Sequence, residues 1–209
     1  MASGQPDRDV GRFIYLLGQA TCELDRPYYE LPIAGQALPE YRERVYAYEL
    51  YHQLRCIWPA PPEWTFFLNG EVDKRGHPLP QLQGVFVKDR IPDLLVHRPG
   101  DEHGNLVIIE IKSVAAGPDD VANDLCKLTA FCRQVGYRQG VLLFFGSGSS
   151  VERLRALCLD GLERAQGEAD GAQVLVYWHA GPRVAPISIP LERPEPQDVP
   201  GPIGERTPP

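Results

Sequence analysis

The sequence contains no apolar run near the roughly 18 residues that a membrane-spanning helix needs, which argues against a helical membrane protein. Its first residues, MASGQPDRDVGR, lack a basic segment followed by an apolar one. No secretory signal is read there, and the cytoplasm is the expected compartment. The five cysteines, Cys22, Cys56, Cys126, Cys132 and Cys158, are odd in number and form no CxxC pair. A structural zinc site needs clustered ligands and a secreted disulfide framework usually needs an even count, so free thiols are expected, several of them as small core residues. The five histidines show no HExxH or HxH grouping. A positive charge excess is missing too: the formal net charge is −7. That argues against tight, autonomous, non-specific nucleic-acid binding, although only the local field at a groove decides binding. No helix-turn-helix or zinc finger is visible, and there is no internal repeat.

What remains is a chain of 209 residues, 43% hydrophobic and 23% charged, enough for one sizeable core and short of two typical domains. Phe13, Ile14, Leu17 and Thr21 recur at helical spacing and predict a helix over Asp9 to Leu24. A proline-broken loop follows, and Pro39 opens an amphipathic helix over Glu40 to Ile57 with Ala47, Leu50, Leu54 and Ile57 as its apolar stripe. Strands are expected at Trp64 to Glu71, Ile91 to His97 and Leu106 to Val114, with a short one at Val85 to Val87. A helix from Asp119 to Gly136, a buried strand at 141–146, a helix from Ser149 to Gln166 and a strand at 173–180 complete the domain, with a short edge strand at Ala185 to Ile189. The order describes an α/β domain with a mixed sheet flanked by helices. Residues 1–38 form an N-terminal helix and loop packed on the core, 39–189 the main domain, and 190–209 a proline-rich tail read as disordered or extended.

Two segments carry chemistry, RIPDLLVH and LVIIEIKS, separated by the turn-rich octet RPGDEHGN. If the octet closes an antiparallel hairpin, Asp93 lies directly opposite Glu110, on one face, with Cβ atoms about 5 Å apart. Lys112, two residues on, shares that face, while Ile109 and Ile111 point into the core. Two carboxylates about 4 Å apart repel by roughly 4 kcal/mol at an effective dielectric near 20. A hard divalent cation offsets that repulsion, and Mg²⁺ needs only one or two carboxylates beside its waters. The plain alternative is a solvated salt bridge on a sheet face. Against it, these charges interrupt the otherwise apolar VIIEIKSV, where a buried charge needs a reason.

IPD followed by EIK resembles the PD-(D/E)XK nuclease superfamily, and the resemblance covers about residues 40 to 146 with the elements in matching order. It implies a restriction-endonuclease-like core of αβββαβ order, here with an extra αβ, and a DNA substrate ahead of RNA. It also implies Mg²⁺, with Mn²⁺ as a substitute, held by Asp93, Glu110 and the backbone carbonyl of Ile111, with Lys112 as catalytic lysine. A glutamate on the preceding helix is often an added ligand or a supporting group, and Glu49 matches that place, with a solvated helix residue as the alternative. Glu71 approaches the site or lies on the surface. Asp124, Lys127 and Arg133 line a substrate groove or form a solvated helix face. The QxxxY pattern of exonuclease-like branches is absent. Lys74, Arg75, Lys88, Arg90 and Arg98 make a locally basic stretch suited to phosphate contacts, with Lys127 as a further candidate. The acidic total implies that a homodimer mate or a protein partner supplies recognition, and that a non-cleaving binding or assembly subunit is the rival reading. Tyr41, Tyr46, Tyr48 and Tyr51 serve either an interface or the core.

Overall fold

The computed structural model describes residues 7–70, 91–101 and 103–191. Helix α1 (Arg8–Cys22) starts at Asp7, whose side chain accepts from the N–H groups of Asp9 and Val10. The loop expected next contains a one-turn helix, α2 (Arg26–Tyr29). Helix α3 (Glu43–Cys56) begins later than its sequence pattern suggests, because Glu40 and Leu31 exchange backbone hydrogen bonds of 2.8 and 3.0 Å and stay extended. Strands β1 (Phe67–Gly70), β2 (Leu94–His97) and β3 (Asn105–Ser113) follow. Helix α4 (Pro118–Ala130) runs on into one wider turn, Phe131–Val135, and stops at Gly136, which is left-handed at φ +80°. Strand β4 (Gln139–Phe145), helix α5 (Val151–Arg164), strand β5 (Val174–His179) and edge strand β6 (Ile187–Ile189) complete the order. The expected strand at Val85 to Val87 and nearly all of the tail lie outside the described residues.

Among the described residues, six strands form one sheet in sequence order. β1, β2 and β3 are antiparallel, β3, β4 and β5 are parallel, and β6 returns antiparallel to β5. The chain is thus α/β with a mixed open sheet between helices. Side chains alternate across β3 and β4, which separates two cores. Ile109, Ile111, Leu143 and Phe145 pack with α1 and α3 through Phe13, Leu17, Tyr46 and Leu50. Ile108, Leu142 and Phe144 pack with α4 and α5 through Val121, Leu125, Leu128 and Leu154. Glu110 and Lys112 therefore belong to the α4 face. Of the cysteines only Cys158 is fully buried, and all five are free thiols.

Tyrosines anchor α3. Tyr46 is buried and stacks on Phe145, and Tyr41 and Tyr51 pack against the core, while Tyr48 stays 58% exposed. Where β4 ends, Gly146 adopts φ +127°, and a Cβ there would meet Val114 at 2.6 Å. Its N–H donates to the Tyr29 hydroxyl, which in turn donates to the His179 carbonyl. Tyr46 Oη lies 2.8 Å from His179 Nδ1.

Burial lowers the His179 pKa from 6.5 to about 4, so the imidazole is neutral in the fold. The stability this contributes is full above the unfolded value and is lost as pH falls from about 6.5 towards 4, on the order of 3 kcal/mol. Urea unfolding across that window should show a steeper acid loss in the wild type than in His179→Gln; identical slopes would mean that His179 is not the titrating group.

Candidate functional site

The site begins where β2 is missing. Pro92 has no N–H for a ladder, and β2 starts at Leu94, so among the described residues the end of β3 runs on without a strand partner on that side. Leu94 pairs with Ile109, Leu95 with Ile108 and Val96 with Val107, the register read from the octet turn, and a bulge between Val96 and His97 absorbs the rest of the loop. Carried one step further, that register sets Asp93 across from Glu110. Carboxylates fill the open ladder: Ile111 N–H donates to Asp93 Oδ2 at 2.7 Å, and Ser113 N–H donates to Glu43 Oε1 at 3.0 Å. In an extended strand the N–H and C=O of one residue open to the same side, so the Ile111 carbonyl also opens towards Asp93.

On the α4 face, Glu110 is only 2% exposed. Its Oε2 accepts from Lys127 Nζ at 2.7 Å. Its Oε1 is buried and, among the described residues, has no hydrogen-bond partner. Asp124, 4% exposed, stands between two ammonium groups, with Lys112 Nζ at 3.3 Å and Lys127 Nζ at 3.7 Å. Lys112 Nζ also lies 3.6 Å from Glu43 Oε2. Among the described residues, four carboxylates (Glu43, Asp93, Glu110 and Asp124) thus face two ammoniums, Lys112 and Lys127, and two negative charges are left over when all are ionised.

The protonation equilibria express that imbalance. Burial, then Asp124 and Asp93, push the Glu110 carboxyl well above the usual range. Burial also raises Asp93 and Asp124 against the pull of both lysines. Burial alone would lower Lys112; Asp124, Glu43 and Glu110 outweigh it and hold the ammonium charged.

The site residues expected from sequence divide cleanly. Asp93, Glu110 and Lys112 come together at the end of β3. Glu49 does not join them: its carboxylate accepts from Gln53 on the next turn of α3, and Glu43, nearly two turns earlier, is the helix glutamate at the site. Lys127 faces Glu110 inside the cluster, not an outer groove. Asp124 is likewise internal, which the sequence signalled: it occupies the apolar stripe of Val121, Leu125 and Leu128. Arg133 is tied to Asp170 at 2.8 Å, and Arg98 lies over Phe66 and bonds Thr65, so neither belongs to the cluster. Glu71, Lys74, Arg75, Lys88 and Arg90 lie outside the described residues.

Among the described residues, no group of three or more His, Cys, Asp and Glu side chains converges to hold a metal ion. Two carboxylates and a backbone carbonyl fit a cation that keeps several waters, as Mg²⁺ does, better than they fit zinc. The unpartnered Glu110 oxygen and the residual negative charge suit such an ion.

A carboxyl raised on folding stabilises the fold below its unfolded pKa, and that contribution is lost as pH rises through its folded value. The metal-free chain should therefore lose stability at this cluster as pH rises from the ordinary carboxylate range through the raised values of Glu110, Asp93 and Asp124, and a divalent ion should offset the loss. Thermal melts with Mn²⁺ against EDTA should show a larger metal-induced gain at the higher pH, and a smaller pH effect in Glu110→Gln. A gain independent of pH would mean that the carboxylates stay ionised throughout. Compared with protein-family models, curated proteins and solved structures, the chain finds no match, and its site is read from its own geometry.

Proposed function

We propose that the chain is a divalent-metal-dependent nuclease with a restriction-endonuclease-like PD-(D/E)XK core, hydrolysing phosphodiester bonds in DNA ahead of RNA. The observation that carries this reading is the buried, unpartnered Glu110 oxygen within a net-negative cluster that also holds Asp93 and Lys112. The order α3, antiparallel β1–β2–β3, crossover α4 and parallel β4 is compatible with that core.

Asp93, Glu110 and the Ile111 carbonyl are the groups that would hold Mg²⁺ or Mn²⁺. When bound, the ion supplies polarisation of the phosphate and a bound water of lowered pKa. Lys112 is held as a cation, so it suits stabilising charge on the phosphoryl oxygens or orienting a water, not removing a proton near neutral pH. Glu43 and Asp124 position the Lys112 amine from two sides. Lys127 neutralises part of Glu110.

A second reading, a nuclease-fold binding or assembly subunit that does not cleave, is favoured by the absence of a three-side-chain ligand group among the described residues and by the net charge of −7. Among the described residues no helix is long and apolar enough to cross a membrane.

Labelled single- and double-stranded DNA and RNA, incubated with the chain in Mg²⁺, Mn²⁺ or EDTA, separate the two readings. Metal-dependent cleavage should disappear in Asp93→Ala and Glu110→Ala. In Lys112→Ala, turnover should fall by about 10²- to 10³-fold with less change in metal affinity. Cleavage that survives both carboxylate changes would place the activity elsewhere; metal binding without cleavage of any substrate would favour the subunit.

A further inference from the structure

A cavity of about 650 Å³ opens beside the cluster, between α3 and the β1–β2 edge of the sheet. Asp93 and Glu43 form its wall on the cluster side, and Arg44, Tyr48, Tyr51 and Asn69 are among its other lining groups. That volume lies within the range of sites that take one small organic group, and the lining mixes aromatic rings with a few polar groups, as such sites do.

We propose that this cavity is a nucleobase pocket, which receives one unpaired base of a single-stranded nucleic acid whose neighbouring phosphate lies at the Asp93–Glu110 cluster. The inference rests on the nuclease reading and adds a substrate class to it.

Tyr48 is the tyrosine of α3 that the core does not use: it lines the cavity at 58% exposure while Tyr46 is fully buried. A ring so placed can stack on any base, since every base presents a π-face. Tyr51 forms a firmer wall, packed against the core. Asn69 adds direction. Its Oδ1 lies 3.0 Å from His97 Nε2, which leaves its amide N–H₂ as the donor for a ring carbonyl.

The floor has been kept low. Gly70 has no side chain, and a Cβ there would touch the Asp93 carbonyl at 3.5 Å, Leu94 at 3.5 Å and Tyr51 at 3.9 Å. Any larger side chain at this position starts among the residues that line the cavity.

Charge decides between a single strand and a duplex. A duplex binder draws most of its affinity from phosphate contacts. Here Lys112 and Lys127 are both engaged by carboxylates, and the chain carries −7 overall. Stacking contributes about 1–3 kcal/mol per base, and it needs no positive surface. A paired base cannot enter the cavity without leaving its duplex, which costs unpairing free energy.

The test is fluorescence anisotropy in EDTA with the full chain. The probes are a short labelled thymidine oligonucleotide, the same strand annealed to its complement, and a version with abasic sites. The thymidine strand should bind tightest. Tyr48→Ala and Gly70→Leu should weaken it by about 5- to 150-fold with an unchanged salt dependence, and Tyr48→Trp should restore binding. The Mn²⁺-induced thermal shift of both weakened variants should match the wild type, showing that fold and cluster are intact. The proposal is overturned if the wild type binds none of the probes, if duplex or abasic strand binds as tightly as the thymidine strand, or if Tyr48→Ala binds like the wild type. Loss of cleavage and of the metal-induced shift in the wild type, with the Tyr48 effect retained, would instead overturn the nuclease reading and leave a base-binding pocket.

Discussion

An unfinished ladder governs this molecule. β3 continues through Ser113 while β2 stops at Leu94, so backbone groups in the middle of the fold lose their strand partner. Buried N–H groups must be satisfied, since an orphan costs about as much as a lost hydrogen bond. Asp93 and Glu43 meet that demand with carboxylates instead of carbonyls. A carbonyl would have closed the sheet with a neutral group. A carboxylate closes it with a charge, and that charge then shapes its neighbours.

The charges are tolerated because they alternate. Lys112 meets Asp124, Asp124 meets Lys127, and Lys127 meets Glu110, all on the face of β3 covered by α4. Breaking one member of such a buried set typically costs about 3–5 kcal/mol, because the partner stays buried and uncompensated. Yet the set does not close on itself. Among the described residues Glu110 Oε1 has no hydrogen-bond partner, and the carboxyls are raised by burial and mutual repulsion. A purely structural network gains nothing from such a gap. One that admits a cation has a use for it.

Much of this was legible in the sequence because strands alternate strictly. Asp93, Glu110 and Lys112 could be set on one face from the octet between the strands, because the pairing from Val96–Val107 to Leu94–Ile109 is centred on that octet, the bulge between Val96 and His97 taking up the one-residue offset of the His97–Asn105 pair next to the turn. The helix partner was harder to read. Glu43 and Glu49 are both glutamates of α3, and the resemblance pointed to Glu49. The stripe of Ala47, Leu50 and Leu54 extends back one turn from Ala47 to Glu43, whereas Glu49 is turned about 100° from Leu50. Where α3 starts depends on the Leu31–Glu40 bridge, a contact no local pattern announces. Asp124 shares the spacing of the apolar stripe of Val121, Leu125 and Leu128, which marks it as inward, but the inward direction of Lys127 follows from how α4 lies across β3.

On the proposed reading, the same alternation explains how an acidic chain could handle a polyanion. Both site lysines already face carboxylates, so the cluster offers phosphate no net positive charge until a divalent ion joins it. Each such ion changes the local sum by two, which matches the excess of the four carboxylates over the two ammoniums. Neutralising the cluster removes the repulsion that would otherwise keep a phosphate away. Metal and substrate would then favour one another at this site, and by linkage each would raise the affinity of the other by the same factor. The aromatic wall formed by Tyr48 and Tyr51 stands outside that charge balance. It would hold a base whether or not the ion is bound, so the metal would govern the phosphate and the cavity would govern which strands reach it.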